Sequence, residues 1–289
     1  MKSLLVSVFL ALVPLLIMHP VALQAHPHII DVAKGSEISP QALLEDLRRV
    51  QVVFLGEFHD HIGHHRAQLT IIDALDDDER PLAIGLEMFR KESQSTLDRW
   101  TANDLPFLKF LSVYNDNWSM WDMYREIFLH ARNEGVKMLG LNISREITGK
   151  VLRNGFKSLP EEDRQMLGNV QCVVTPFYSN YIRQALGVHG GHGDHFLHFC
   201  EAQLLWDTVM ARNLVEFLQE NPDYRVVVLA GSGHAWKFGI PTQMLEQADI
   251  SYRVLLPEVS SRVHRDSVTS EIADYLWLDE GEDGWTFHP

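Results

Sequence analysis

The sequence predicts an α/β fold: a mostly parallel central sheet with helices on both faces and a helical insertion. Three observations predict it. Short apolar runs recur along the chain, each of the kind found in a parallel strand buried on both faces. Helix-length segments separate them, which is the alternation of a βαβ chain. Residues 92–133 form a longer, aromatic-rich excursion between the second and third runs.

The elements follow in order. Lys2, the apolar run Leu4 to Met18 and the small residues ending at Ala25 read as a secretory signal peptide, 1–25. Residues 26–289 then form a single domain. Ser39 is a good N-cap and Pro40 suits the first position of a helix through Arg49. Val52 to Gly56 is the first strand, and a helix from about Gly63 to Leu75 ends in an acidic cluster. Leu82 to Leu86 is the second strand, ending at Glu87. The excursion 92–133 reads as a helical cap carrying Trp100, Phe110, Trp118 and Tyr124. Gly135 stops it before the third strand, Val136 to Leu141. Short helices at 145–151 and 161–167 lead to a Gly/His-rich loop, 187–195. A long helix, about Phe196 to Gln219, is stopped by Asn221-Pro222. Val226 to Ala230 and Tyr252 to Leu256 are the fourth and fifth strands.

Composition narrows the function. With 289 residues, 46% of them hydrophobic, the chain can bury a sizeable core without disulfides or a structural metal. The formal charge is −14, from 25 basic against 39 acidic residues; losing the leader with Lys2 makes it −15. Such a chain lacks the basic footprint of a nucleic-acid binder. No cysteine lies near the cleavage site, so the expectation is a soluble periplasmic protein and not a lipoprotein. Export would allow Cys172 and Cys200 to pair, although spacing alone does not decide that.

Two Gly-x-x-His motifs, Gly56-Glu57-Phe58-His59 and Gly231-Ser232-Gly233-His234, each follow a strand. Ligands in open α/β sheets bind outside the carboxyl ends of the strands, so Glu57, His59, Glu87 and His234 should converge there. Each glycine is expected to permit a tight exit from its strand. The histidines cluster. His59, His61, His64 and His65 form one group, with His61 and His65 spaced to share a helix face. His189, His192, His195 and His198 form another, in and after the glycine-rich loop. Imidazole suits zinc, copper, nickel and haem iron. The first group could supply a metal site from His59, His61, His65 and His234, though no HExxH signature is present. The second reads either as a ligand-binding segment or as a solvated loop with weak metal affinity. Gln203 and Asp207 lie on and beside the apolar stripe of the long helix. They read either as partners that orient the strand-end histidines or as a polar network holding helix to sheet.

The ordered set Val53 to Asp60 with His64, His65 and Gln68, then Gly85 to Phe89, Gly140 to Asn142, Glu201 to Asp207 and Gly231 to His234 resembles the ChaN-like haem-binding uptake family. The resemblance spans about residues 40–257. The family belongs to a larger group with Tiki-type and erythromycin-esterase-like proteins, whose two Gly-x-x-His motifs and glutamate are matched by His59, His234 and Glu87. It implies an exported haem-binding protein linked to iron uptake. Its partners would be haem, the haem-uptake machinery of the envelope and a second copy of itself in a homodimer. The iron ligand would come from His189, His192, His195 or His198, or from Tyr178 or Tyr181. Arg66, Arg183 or Lys237 would hold the propionates. The wider group implies an alternative, a metal-dependent hydrolase, zinc being one candidate metal. There the histidines and one carboxylate of the Glu57, His59, Glu87 and His234 set would hold metal or activate water, with the other carboxylate as base. A periplasmic metal chaperone built only on 189–198 is a third reading.

Overall fold

The computed structural model describes residues 28–76, 80–167, 194–258, 263 and 265–278. Strand β1 (His28–Asp31) pairs antiparallel with β2 (Ser36–Ile38). Then come α1 (Pro40–Leu47), β3 (Val52–Glu57), α2 (Ile62–Leu75) and β4 (Leu82–Arg90). Helices α3 (Gln94–Thr101), α4 (Phe107–Asn117) and α5 (Trp121–Glu134) make the aromatic segment. They are followed by β5 (Lys137–Asn142), α6 (Arg145–Asn154) and α7 (Glu161–Leu167). The long helix is α8 (Asp194–Glu220), and it leads to β6 (Arg225–Gly231) and the single turn α9 (Ser232–Ala235). The chain continues through α10 (Ile240–Leu245), β7 (Tyr252–Pro257) and β8 (Tyr275–Leu278).

The sheet order is β2-β1-β8-β7-β3-β6-β4-β5. The six strands from β8 to β5 run parallel, and β1 lies antiparallel to β8. This is the expected mostly parallel sheet. The three strands β1, β2 and β8 were not expected; they are short pieces that extend one side of it.

Alternation along the buried strands feeds two cores. Val53 and Leu55 of β3 join Ile84, Leu86, Val227 and Leu229 under the helices α1 to α5. Val52 and Phe54 point the other way and meet Val226, Val228, Met210 and Leu214 beneath α8. Helices therefore cover both faces, and every β3 position is buried. At about 25 cal/mol per Å² of apolar surface, this two-sided burial is the main force holding the strands in register. Local signals place the ends. Ser39 Oγ accepts from the Ala42 N–H at 3.1 Å, and Gly135 closes α5 in the left-handed region, φ +75°.

The end of β4 is irregular. Its register with β5 shifts between Leu86 and Arg90, a bulge that bends the strand where Glu87 sits. Gly140 on β5 makes room for it: a Cβ there would lie 2.4 Å from the Arg90 carbonyl oxygen and 2.9 Å from its carbon. Both are backbone atoms of a paired strand and cannot swing aside. Gly140→Ala should therefore cost about 1–3 kcal/mol of unfolding free energy, as overpacking does. A urea midpoint unchanged from wild type would show that the bulge yields freely.

Candidate functional site at the carboxyl edge of the sheet

The parallel register sets the two Gly-x-x-His motifs side by side, with Glu57 of β3 opposite Gly231 of β6. Neither Gly56 nor Gly231 has a positive φ, so the expected tight strand exit is not their role. Their role is space. A Cβ on Gly231 would stand 3.1 Å from His59 Nε2 and 3.6 Å from Glu87 Oε2. The absent side chain lets that imidazole and that carboxylate rest against the backbone.

Glu57 is fully buried and saturated with partners. Its Oε1 lies 2.7 Å from His59 Nδ1 and accepts a hydrogen bond from the Tyr124 hydroxyl. Its Oε2 accepts from Gln68 Nε2 at 2.7 Å and lies 3.4 Å from His65 Nδ1. Burial alone would raise its pKa. Hydrogen bonds and positive charge from His59 and His65 outweigh burial and hold the carboxyl well below the usual range. The response in the imidazoles is the converse. Burial works to depress His59, but the charge of Glu87 and the Glu57 hydrogen bond push it up to about 9. His65 is raised against its own burial, chiefly by Glu57.

The second motif builds a matching dyad. His234 Nδ1 lies 2.6 Å from Asp207 Oδ1, and Gln203 Nε2 lies 3.0 and 3.1 Å from the two ring nitrogens. Gln203 also donates to the Gly233 carbonyl at 3.2 Å. Here too burial is overcome, by the charges of Glu87 and Asp207, and the His234 pKa is raised. Glu87 stands between the dyads. Its Oε2 accepts the Gly231 N–H at 2.7 Å, while its Oε1 is 3.9 Å from His59 Nε2 and 3.6 Å from His234 Nε2. The result is an alternating row of base and acid: Glu57, His59, Glu87, His234, Asp207. Trp118 packs edge-on against His59, ring centroids 4.9 Å apart, and Trp206 packs edge-on against His234 at 5.9 Å.

The predicted convergence of Glu57, His59, Glu87 and His234 is thus present, and Gln203 and Asp207 both reach His234. The predicted metal set is not brought together. His61 stacks on His64 at 4.0 Å, in a pair that also borders Trp277. His65 is turned inward onto Glu57 and the His59 carbonyl, 3.0 Å from its Nε2. Among the described residues no group of three or more His, Cys, Asp and Glu side chains is arranged to hold a metal ion. The zinc expectation finds no support here.

Lys237 is engaged elsewhere, donating to Asp274 at 2.7 Å and to the Ser270 carbonyl at 2.8 Å. Arg66 is exposed on α2, away from the inward face of that helix. His195 is exposed on the first turn of α8 and His198 is half-buried one turn on. Tyr178, Tyr181, His189, His192, Arg183 and Cys172 lie outside the described residues, as does the leader; Cys200 is buried on α8. Sequence reasoning missed Tyr124 and Trp118 as site residues. Tyr124 lies in α5 among buried aromatic residues, and Trp118 is the extended residue that ends α4, so neither stands out in the aromatic segment.

Residues 43–244 match the model of a family described as haem-binding uptake, Tiki superfamily, ChaN. The chain belongs to that family. Among solved structures, this ChaN-family chain is similar to ChaN of Campylobacter jejuni, a structure described as showing cofacial haem binding. The identity is 22%, over 88% of this chain and 97% of that one, with a TM-score of 0.68. The likeness is one of fold. More remote are a mutant of the erythromycin esterase EreC, at 14% identity over 84% and 94% of the two chains (TM-score 0.46), and the type III effector HopBA1, at 12% over 82% and 91% (TM-score 0.47). No curated protein matched the sequence. Among the described residues no helix of the ChaN-family chain is long and apolar enough to cross a membrane.

Proposed function

We propose that this chain binds haem in the bacterial envelope and serves haem or iron uptake there. Membership of the ChaN family over residues 43–244 carries the reading. The leader-like segment 1–25 supports export, and the likeness in fold to a cofacially haem-binding protein supports a homodimer as the binding form. The envelope's haem-uptake machinery would be the partner that delivers or removes the ligand.

The chemistry of the donors bears on where the iron is held. An imidazole ligates a metal only when its donor nitrogen carries no proton. In His59 and His234 a buried carboxylate holds Nδ1, which leaves Nε2 as the donor nitrogen, and both Nε2 atoms are turned toward the Glu87 carboxylate. The segment around 189–198 fits better. His195 is exposed at its end, beside the exposed apolar Leu197, and His198 Nδ1 is buried without a hydrogen-bond partner among the described residues. We assign the iron ligand to His189, His192, His195 or His198, with Tyr178 and Tyr181 as the oxygen-donor alternatives. Bound haem would supply an iron centre for transport, and this chain would contribute its ligand and apolar cover.

Titration of the purified protein with hemin should give a saturable Soret shift. Replacing all four of those histidines with alanine, in a background of Tyr178→Phe and Tyr181→Phe, should weaken binding at least tenfold. Absence of a saturable shift in the wild type would refute haem binding. Unweakened binding in the multiple variant would refute the assigned segment alone.

A further inference from the structure

The first strand opens on a histidine that neither the haem reading nor the sheet-edge row uses. Removal of the leader after Ala25 would make the chain begin His26-Pro27-His28. We infer a copper(II) site there, built from the His26 α-amine and imidazole and the His28 imidazole, with Glu37 aiming His28. The inference rests on the export reading, because that amine exists only if the leader is cut at this bond.

His28 is the first residue of β1, and β1 is paired on both sides, to β2 and to β8. Side chains alternate along the strand, which puts His28 and Ile30 on one face and buries Ile29 on the other. Glu37 of β2 stands opposite Ile30, so it is a diagonal neighbour of His28. Its Oε1 meets His28 Nδ1 in a close contact. The two side chains are 54% and 44% exposed, and as an ion pair they add little to stability. What the contact does is commit Nδ1 to a carboxylate and leave Nε2 for a ligand. That is how carboxylates orient metal-binding histidines in proteins. The same exposure leaves Nε2 open to an ion from solvent.

His28 and Glu37 alone make no metal site, and covalent connectivity supplies the other donors. His26 and Pro27 lie outside the described residues, but two peptide bonds keep the Cα atoms of 26 and 28 within about 7 Å. A terminal histidine can offer its α-amine and its Nδ1 to the same ion, closing a chelate ring. Pro27 has no N–H, so that peptide nitrogen cannot lose a proton and join the metal. The donors are then one amine and two imidazoles, with a further place left to water. Copper(II) takes tetragonal nitrogen sites of this kind, and it binds more tightly than the other first-row divalent ions. The charge of −15 left after cleavage draws cations to the surface. Binding needs the amine unprotonated, and an α-amine ordinarily has a pKa of about 8. Copper should therefore displace protons and bind more weakly as the pH falls.

The test uses the full chain expressed with its leader, exported and purified. His189, His192, His195 and His198 are all replaced by alanine, so that the glycine-rich segment holds no copper. Intact mass should show a chain that begins at His26. Copper(II) titrated against a competing chelator should bind one ion per chain, with nitrogen ligands in its electron paramagnetic resonance spectrum. His26→Ala, His28→Ala, or insertion of Ala-Pro-Pro between Ala25 and His26 should each weaken binding by about 100-fold or more. Glu37→Gln should weaken it by about tenfold. Circular dichroism should stay unaltered in all of them. Should the fourfold background misfold, the wild type given less than one equivalent of copper takes its place, read by the same spectrum. A chain that begins elsewhere overturns the proposal, and so does affinity retained when either histidine is replaced. Cleavage after Ala25 without copper binding overturns it too, while leaving export standing. Unchanged affinity in Glu37→Gln overturns the role of that carboxylate, and zinc held more tightly than copper overturns the choice of metal. Hemin binding is measured with the four histidines in place, so its failure touches only the haem proposal.

Discussion

Replacing Glu57 with alanine should lower the free energy of unfolding by about 3–5 kcal/mol, the range for removing one partner of a buried ion pair. Glu57 is 1% exposed and receives Tyr124, Gln68, His59 and His65. Alanine would strand all four polar groups in a cavity sealed by β3, α2 and α5. The buried His65 would have to give up a proton, and Tyr124 would lose the acceptor for a hydroxyl held in the core. Each orphaned buried donor costs about 1–3 kcal/mol, although neighbouring losses do not add in full. Urea unfolding with an unchanged m-value is the measurement. A loss below about 1 kcal/mol would mean that water enters and replaces the carboxylate, contrary to the tight packing described.

Stability should peak near pH 6.5, because burial pushes His64 down to about 3 and so costs stability below 6.5, and it should decline toward pH 9. His59 ionises near 6.5 when unfolded and at about 9 when folded. A raised folded value means the folded state binds the proton more tightly. The stabilisation is therefore complete below 6.5 and disappears as the pH climbs to 9. A shift of that size corresponds to about 3 kcal/mol, reduced to about 1–3 kcal/mol by solvent screening at a side chain 31% exposed. His65 and His234 shift in the same direction and add to the alkaline loss. Glu57 works on the other side. Its folded pKa is depressed from 4.5, so its contribution is complete above 4.5 and lost as acid protonates it. Melting temperatures collected from pH 4 to 9.5 should trace a dome. A plateau from 6 to 9 would show that the imidazoles are neutral in the folded protein.

Much of this site was legible because strand ends announce themselves. Apolar runs closed by Gly56, Glu87 and Gly231 located the carboxyl edge, and parallel pairing did the rest. The helix partners Gln203 and Asp207 stood out as polar residues in an apolar stripe. What failed was local geometry. His61 and His65 are four apart, but His61 is the N-cap of α2, with extended φ −107° and ψ 102°. Helical spacing does not apply to a residue outside the helix, and the pair separates. Tyr124 could not be singled out, because its hydroxyl finds Glu57 only through the packing of α5 on α2. The strands β1 and β8, four residues each, and the three-residue β2 are too short for a periodicity to register. The bulge at Glu87 leaves no trace in composition at all.

The position of β3 at the middle of the sheet has a consequence for how the chain is made. Its two neighbours are β6 and β7, and the first of them begins roughly 170 residues later in the sequence. At ribosomal speeds of about 5–20 residues per second, that is a wait of roughly 8–35 s. During it Val52 to Leu55, buried on both faces in the finished protein, has neither edge paired. A nascent chain with such a segment is prone to join another copy of itself. The motif that forms the centre of the site is thus the part most in need of protection before the last third of the protein arrives.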